Sequence, residues 1–103
     1  MTMQITVHHN GNDVTIAMSG RFDFNAHREF RNSSEDALKA GATGEIMVDM
    51  DKVEYLDSSA LGMLLLLREK ANSSNRKLSL LNCKGIVQQV LEVANFNKLF
   101  TIR

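Results

Sequence analysis

The chain has 103 residues, 44% of them apolar and 23% charged, which suffices for a single hydrophobic core and suggests one domain spanning residues 1–103. Its twelve basic and twelve acidic residues cancel, so no net field draws it onto nucleic acid or anionic lipid, and a protein or small ligand is the default partner. Cys83 is the one cysteine, which excludes an internal disulfide and a cysteine-based zinc site and fits a reducing compartment.

Met1-Thr2-Met3-Gln4-Ile5 has neither the basic nor the apolar stretch of a signal peptide. The longest apolar run, Met63 to Leu67, is far shorter than the roughly 20 residues that cross a bilayer. A cytoplasmic protein without membrane insertion is expected.

In chain order, residues 4–9 and 14–19 pattern as two strands joined by the tight-turn signal Asn10-Gly11-Asn12. Val14, Ile16 and Met18 alternate with Thr15, Ala17 and Ser19, and Gly20 is expected to end the second strand. Asn25 is a candidate N-cap for a helix running to about Ala40, with Ala26, Phe30, Ala37 and Leu38 inward and Gly41-Ala42-Thr43-Gly44 as its stop. Residues 45–49 are apolar enough for a central strand. A second helix covers residues 58–72 and Asn72-Ser73-Ser74-Asn75 is a polar break. Residues 77–81 form a strand, and residues 85–94 a helix with the stripe Ile86, Val87, Val90, Leu91 and Ala94. Residues 99–102 close as a short strand. The order ββαβαβαβ defines an α/β fold: a mixed, mostly parallel β-sheet with helices packed on it through right-handed crossovers.

Within that order, Asp57-Ser58-Ser59-Ala60-Leu61-Gly62 stands where a strand's carboxyl end opens into a helix. Unpaired N–H groups and the positive end of the helix dipole favour a phosphate there. A serine at this position is a cap, a nucleophile or a phosphorylation site. The nucleophile reading lacks Gly-x-Ser-x-Gly around Ser59, and its only bases would be His8, His9 and His27, better suited to the surface. His8 and His9 point to opposite faces of a strand, which disfavours a shared metal. Asp49, Asp51 and Asp57 resemble a receiver domain's acidic cluster, but the early acidic pair of such domains is missing. Gly11, Gly41 and Gly44 form no phosphate cradle, and Cys83 is expected to be a small buried residue. No catalytic residue, metal or cofactor is assigned.

The second helix has a surplus of apolar residues. At 100° per residue, Ala60, Met63, Leu64, Leu67 and Ala71 share one side, while Leu61, Leu65 and Leu66 fall outside it. Either neighbouring segments cover these leucines, or they form a docking face close to Ser58.

Together these residues resemble a STAS domain of the bacterial anti-sigma factor antagonist type. Asp57-Ser58-Ser59-Ala60-Leu61-Gly62, preceded by Tyr55, is similar to that family's Asp-Ser-Ser/Thr-Gly-Leu-Gly segment. Gly20-Arg21-Phe22-Asp23 resembles its Gly-Glu-Leu-Asp, and Asn95-Phe96-Asn97-Lys98-Leu99-Phe100 the segment leading into its last strand. The resemblance implies partner switching: the unphosphorylated protein binds an anti-sigma factor that is also a serine kinase. Phosphorylation of Ser58 then releases it, and a metal-dependent serine phosphatase restores it. Carried over by position, Asp23, Asp57, Ser59, Leu61, Leu65 and Leu66 contribute to partner binding, although Asp23 serves equally well as a helix cap. Ala60 replaces the family glycine, Arg21 reverses the charge of the usual glutamate, and the last helix of many STAS domains is missing or reduced. Leu64-Leu65-Leu66-Leu67 and Arg21-Phe22-Asp23-Phe24 are similar to gammaproteobacterial antagonists tied to biofilm and motility control. The alternative within the same family is a constitutive scaffolding subunit of a lipid-transport ATPase complex, which needs no phosphate.

Overall fold

The computed structural model describes residues 3–39 and 43–103. Its elements are β1 (Gln4–Asn10), β2 (Asp13–Phe22), α1 (His27–Lys39), β3 (Ile46–Leu56), α2 (Ser58–Ser73), β4 (Leu78–Leu81), α3 (Gly85–Val93) and β5 (Thr101–Ile102). The sheet order is β1-β2-β3-β4-β5, antiparallel in the opening hairpin and parallel thereafter. This is the expected mixed α/β sheet in the expected element order. Ala40, Gly41 and Ala42, the expected end and stop of the first helix, lie outside the described residues.

Each crossover steps one strand in the same direction, so the right-handed rule sets α1, α2 and α3 on one face of the sheet. Burial agrees. Val14, Ile16, Ile46, Val48 and Leu80 on that face are fully enclosed, whereas Thr15, Ala17, Ser19, Met47 and Asp49 on the other are only half-buried. Helices contribute Phe30, Leu64, Leu67, Val87 and Leu91 to the shared core.

Three boundaries differ from the sequence reading, each for a local reason. Gly20 does not end β2; it adopts φ 106°, a conformation open to glycine, and the strand runs on to Phe22. Strand β3 extends seven residues past the expected end at Asp49, to Leu56. Its pairing with β2 shifts register between Ala17 and Ser19, and again between Gly20 and Arg21. Each shift inserts an extra residue on the β3 side, which produces the exposed pairs Asp51-Lys52 and Glu54-Tyr55 between buried Met50, Val53 and Leu56. At the far end, residues 99 and 100 are not strand. Phe96–Lys98 forms a 3₁₀ turn, into which Leu99 and Phe100 donate backbone hydrogen bonds to the Phe96 carbonyl at 2.9 and 2.8 Å.

The start of the first helix also changes. Asp23, not Asn25, is the cap: its carboxylate accepts the Asn25 N–H at 3.0 Å, opening a 3₁₀ turn Phe24–Ala26 that leads into α1. The last turn of α1 is held by Arg76, only 5% exposed, which donates to the carbonyls of Ala37 and Gly44, each at 2.9 Å.

Candidate functional site

The parallel strands β2 and β3 end side by side, with Phe22 opposite Leu56. The Asp57 N–H donates to the Phe22 carbonyl at 3.3 Å, so Asp23 and Asp57 leave the sheet together. Both carboxylates then turn back as caps, since Asp57 accepts the Ala60 N–H at 3.0 Å just as Asp23 accepts that of Asn25. With the capping position filled by Asp57, the reading of Ser58 as the cap is overturned. Ser58 is instead the first residue of α2 and is exposed, while Ser59 is half-buried.

This corner sets one cation against two acids. Arg21 sits 4.1 Å from the centroid of the Tyr55 ring and 3.8 Å from the Asp23 carboxylate, so the guanidinium offsets one of two neighbouring acids. Phe24 is 63% exposed and stacks on His27 at 4.7 Å, whose Nδ1–H donates to the Phe24 carbonyl at 2.8 Å. Phe24 and Tyr55 are exposed aromatics, within two residues of Asp23 and Asp57 respectively, that periodicity did not single out. The available signal was their position: each lies next to a strand end and outside any apolar stripe.

Along α2 the expected leucine face divides. Leu65 and Leu66 are exposed, at 36% and 48%. Leu61 is half-buried and packs against the core, a correction to its grouping with the other two. Neighbouring Arg68 donates to the Leu99 carbonyl at 2.7 Å, tying this flank of α2 to the C-terminal segment. Seven residues separate Ser58 from Leu65, which puts them within about 20° of one another and about 10 Å apart along the axis. A hydroxyl and an apolar side chain thus share the solvent-facing line of one helix.

The other candidates are occupied or dispersed. Asp49 accepts from the Asp51 N–H and from Asn82 Nδ2, both at 3.0 Å. Asp51 pairs with the Lys84 ammonium at 2.8 Å, whose hydrogen bond and charge hold the carboxyl below its usual range. His8 stands opposite Thr15 and His9 opposite Val14, on alternate faces of β1. Cys83 is half-buried rather than enclosed, and desolvation, with Asp49 nearby, pushes its thiol up to about 11. No helix among the described residues is long and apolar enough to cross a membrane.

A family model described as Mlab, STAS domain matches residues 5–101. A STAS-domain containing protein of Pseudomonas aeruginosa (strain UCBPP-PA14) is 46% identical over 93 residues, 90% of each chain. An anti-sigma F factor antagonist of Paenibacillus polymyxa is 21% identical over 102 residues, 99% of this chain and 87% of the relative. Among solved structures, the Bacillus cell fate determinant SpoIIAA in its phosphorylated form superposes with a TM-score of 0.74 at 18% identity, covering 97% of this chain and 91% of that one.

Proposed function

The chain belongs to the STAS-domain family, and from that membership we propose that it is an anti-sigma factor antagonist, a cytoplasmic binding protein rather than an enzyme, whose hold on its partner is switched by phosphorylation of Ser58. The partner is an anti-sigma factor with serine kinase activity, and a serine phosphatase resets the switch. One observation carries the reading: Ser58 is exposed at the first position of α2 while Asp57 performs the capping. The hydroxyl is therefore free for modification without loss of a structural hydrogen bond. The relatives add support, since one is named an anti-sigma F factor antagonist and another was solved phosphorylated.

The physics of the switch is asymmetric. A phosphoryl group adds about −1.5 to −2 charges at pH 7. Within this chain that charge meets the positive end of α2 and its remaining first-turn N–H groups, which stabilise it. Across an interface resting on Leu65, the same charge has to be stripped of water, which costs affinity. The Asp23 and Asp57 carboxylates lie close by and, as caps, act on the partner mainly by holding this loop in shape.

The test uses the kinase co-purified from the native cell. Ser58→Ala should bind it persistently and Ser58→Asp about tenfold or more weakly, with both variants melting like the wild type. Intact-mass measurement of the protein from its native cell should show a phosphoryl increment that Ser58→Ala lacks. Equal affinity of the two variants, with no phosphate found, would instead indicate the constitutive scaffolding subunit of a lipid-transport ATPase complex.

A further inference from the structure

Helices α1 and α2 run parallel on the sheet and leave a groove of about 200 Å³ between them. Phe30 and Leu67 form its buried floor, Met63 and Leu66 its apolar wall, and its rim carries His27, Arg31 and Lys70. Among the described residues, no acidic side chain lines this stretch, and none of the three rim groups belongs to an ion pair. Past Lys70 the cleft continues between Leu38 on α1 and Ser73 and Ser74 at the end of α2, where Glu69 joins it. From His27 to Leu38 the run is eleven residues, about 16 Å of helix, or three turns.

We propose that this groove docks an amphipathic helix of about three turns from the partner, its apolar stripe on Phe30, Met63 and Leu66 and its flanking carboxylates on Arg31 and Lys70. The charge of the rim selects the occupant. Arg31 and Lys70, unpaired beside an apolar floor, are best complemented by an acidic helix, whereas a basic or neutral one leaves them without counter-charges. The proposal goes beyond the phosphoswitch reading by giving the same partner a second contact. Met63 lies five residues after Ser58, about 7.5 Å along α2 and about 140° around it, so the groove and Ser58 occupy different faces of the helix. A phosphate on Ser58 therefore acts on the partner at the Ser58–Leu65 face, and the groove is a second contact beside it.

The probe is a fluorescent 15-residue synthetic helix with a leucine stripe and glutamate flanks, compared with its lysine-flanked counterpart. Binding is followed by anisotropy, and the site by amide shifts in NMR spectra. The acidic peptide should perturb amides near Arg31 and Leu66 and bind at least tenfold more tightly than the basic one. Arg31→Glu combined with Lys70→Glu should reverse that preference, and Leu66→Glu should abolish binding of both, with circular dichroism confirming that each variant is folded. Equal binding of the two peptides, or perturbations on the open sheet face near Thr6 and Ala17, overturns the proposal. So does a concentration-dependent dimer that Arg31→Glu dissolves, which assigns the groove to a second copy of the chain. Ser58→Asp separates the two claims: it should bind the peptide as the wild type does while losing the kinase, and weakened peptide binding in Ser58→Asp would overturn the placement of the groove apart from the switch.

Discussion

Helices α2 and α3 start at the same end of the sheet, after adjacent parallel strands, and start in opposite ways. Helix α2 opens with a carboxylate, Asp57, bonded to the Ala60 N–H, followed by an exposed hydroxyl. Helix α3 opens with a cation: Lys84 occupies the capping position with no side-chain capping bond, and its ammonium is drawn instead to Asp51. Topology supplies both junctions with the same unpaired N–H groups. The side chains at the first two positions make only the α2 junction suited to modification by an anion. A helix N-terminus is thus common, and what distinguishes this one is a cap that leaves the next hydroxyl unengaged.

The comparison assumes that both helices are equally well held by the core, and the largest expected effect tests that. Leu64→Ala and Leu91→Ala, each emptying a site at most 1% exposed, should cost about 2–5 kcal/mol in urea unfolding. Leu65→Ala, on the outer line of α2, should cost under about 1 kcal/mol. A small loss at Leu91 alone would mean that α3 is weakly anchored and the two junctions are not comparable. Next, Asp57→Ala should cost about 1 kcal/mol by removing the cap. Lys84→Ala should leave the urea midpoint close to that of the wild type, as for other exposed ion pairs; equal costs would erase the distinction between the two starts. Smaller still, Ser58→Asp should leave stability within about 0.5 kcal/mol of wild type.

The smallest effects are titrations around α3. The carboxyl of Asp51 is held below its usual 3.8 by Lys84, so this pair contributes above that value and fades as pH falls through the lowered one. In NMR titration, Lys84→Ala should move the Asp51 midpoint upward. The Cys83 thiol shifts the other way, from an ordinary 9.0 to about 11. The native state keeps its proton while the unfolded chain loses it, so this contribution is intact below pH 9 and declines between 9 and about 11. Alkylation of Cys83 should accordingly be slow at about pH 8, and fast labelling there would contradict the half-buried placement.

Much of this was legible in the residues, for reasons of range. Asn10-Gly11-Asn12, the strict alternation of β2 and the stripe of α3 are local patterns, and they located the hairpin, the sheet and the last helix. Strand β3 was cut short because its two inserted residues break alternation at Asp51-Lys52 and Glu54-Tyr55. A bulge is a relation between two strands, so one strand's sequence reads as though pairing had stopped. Arg76 escaped notice for a related reason. Next to a polar break it has the composition of a loop, yet in the fold it is enclosed and holds carbonyls 32 and 39 residues away. Leu61 and Leu66 could not be told apart along α2, since each lies off the apolar stripe and only the neighbouring segments cover one and leave the other open.

By itself, then, the amino-acid order determined the α/β alternation, the hydroxyl after Asp57 and the apolar surplus on α2, because each depends on contacts a few residues long. Tertiary structure decided which carboxylate caps which turn, which leucine stays exposed, and that Arg31 and Lys70 border one groove. Those outcomes depend on which surfaces packing brings together, and burial and unpaired charge are properties of the packed surface rather than of any segment.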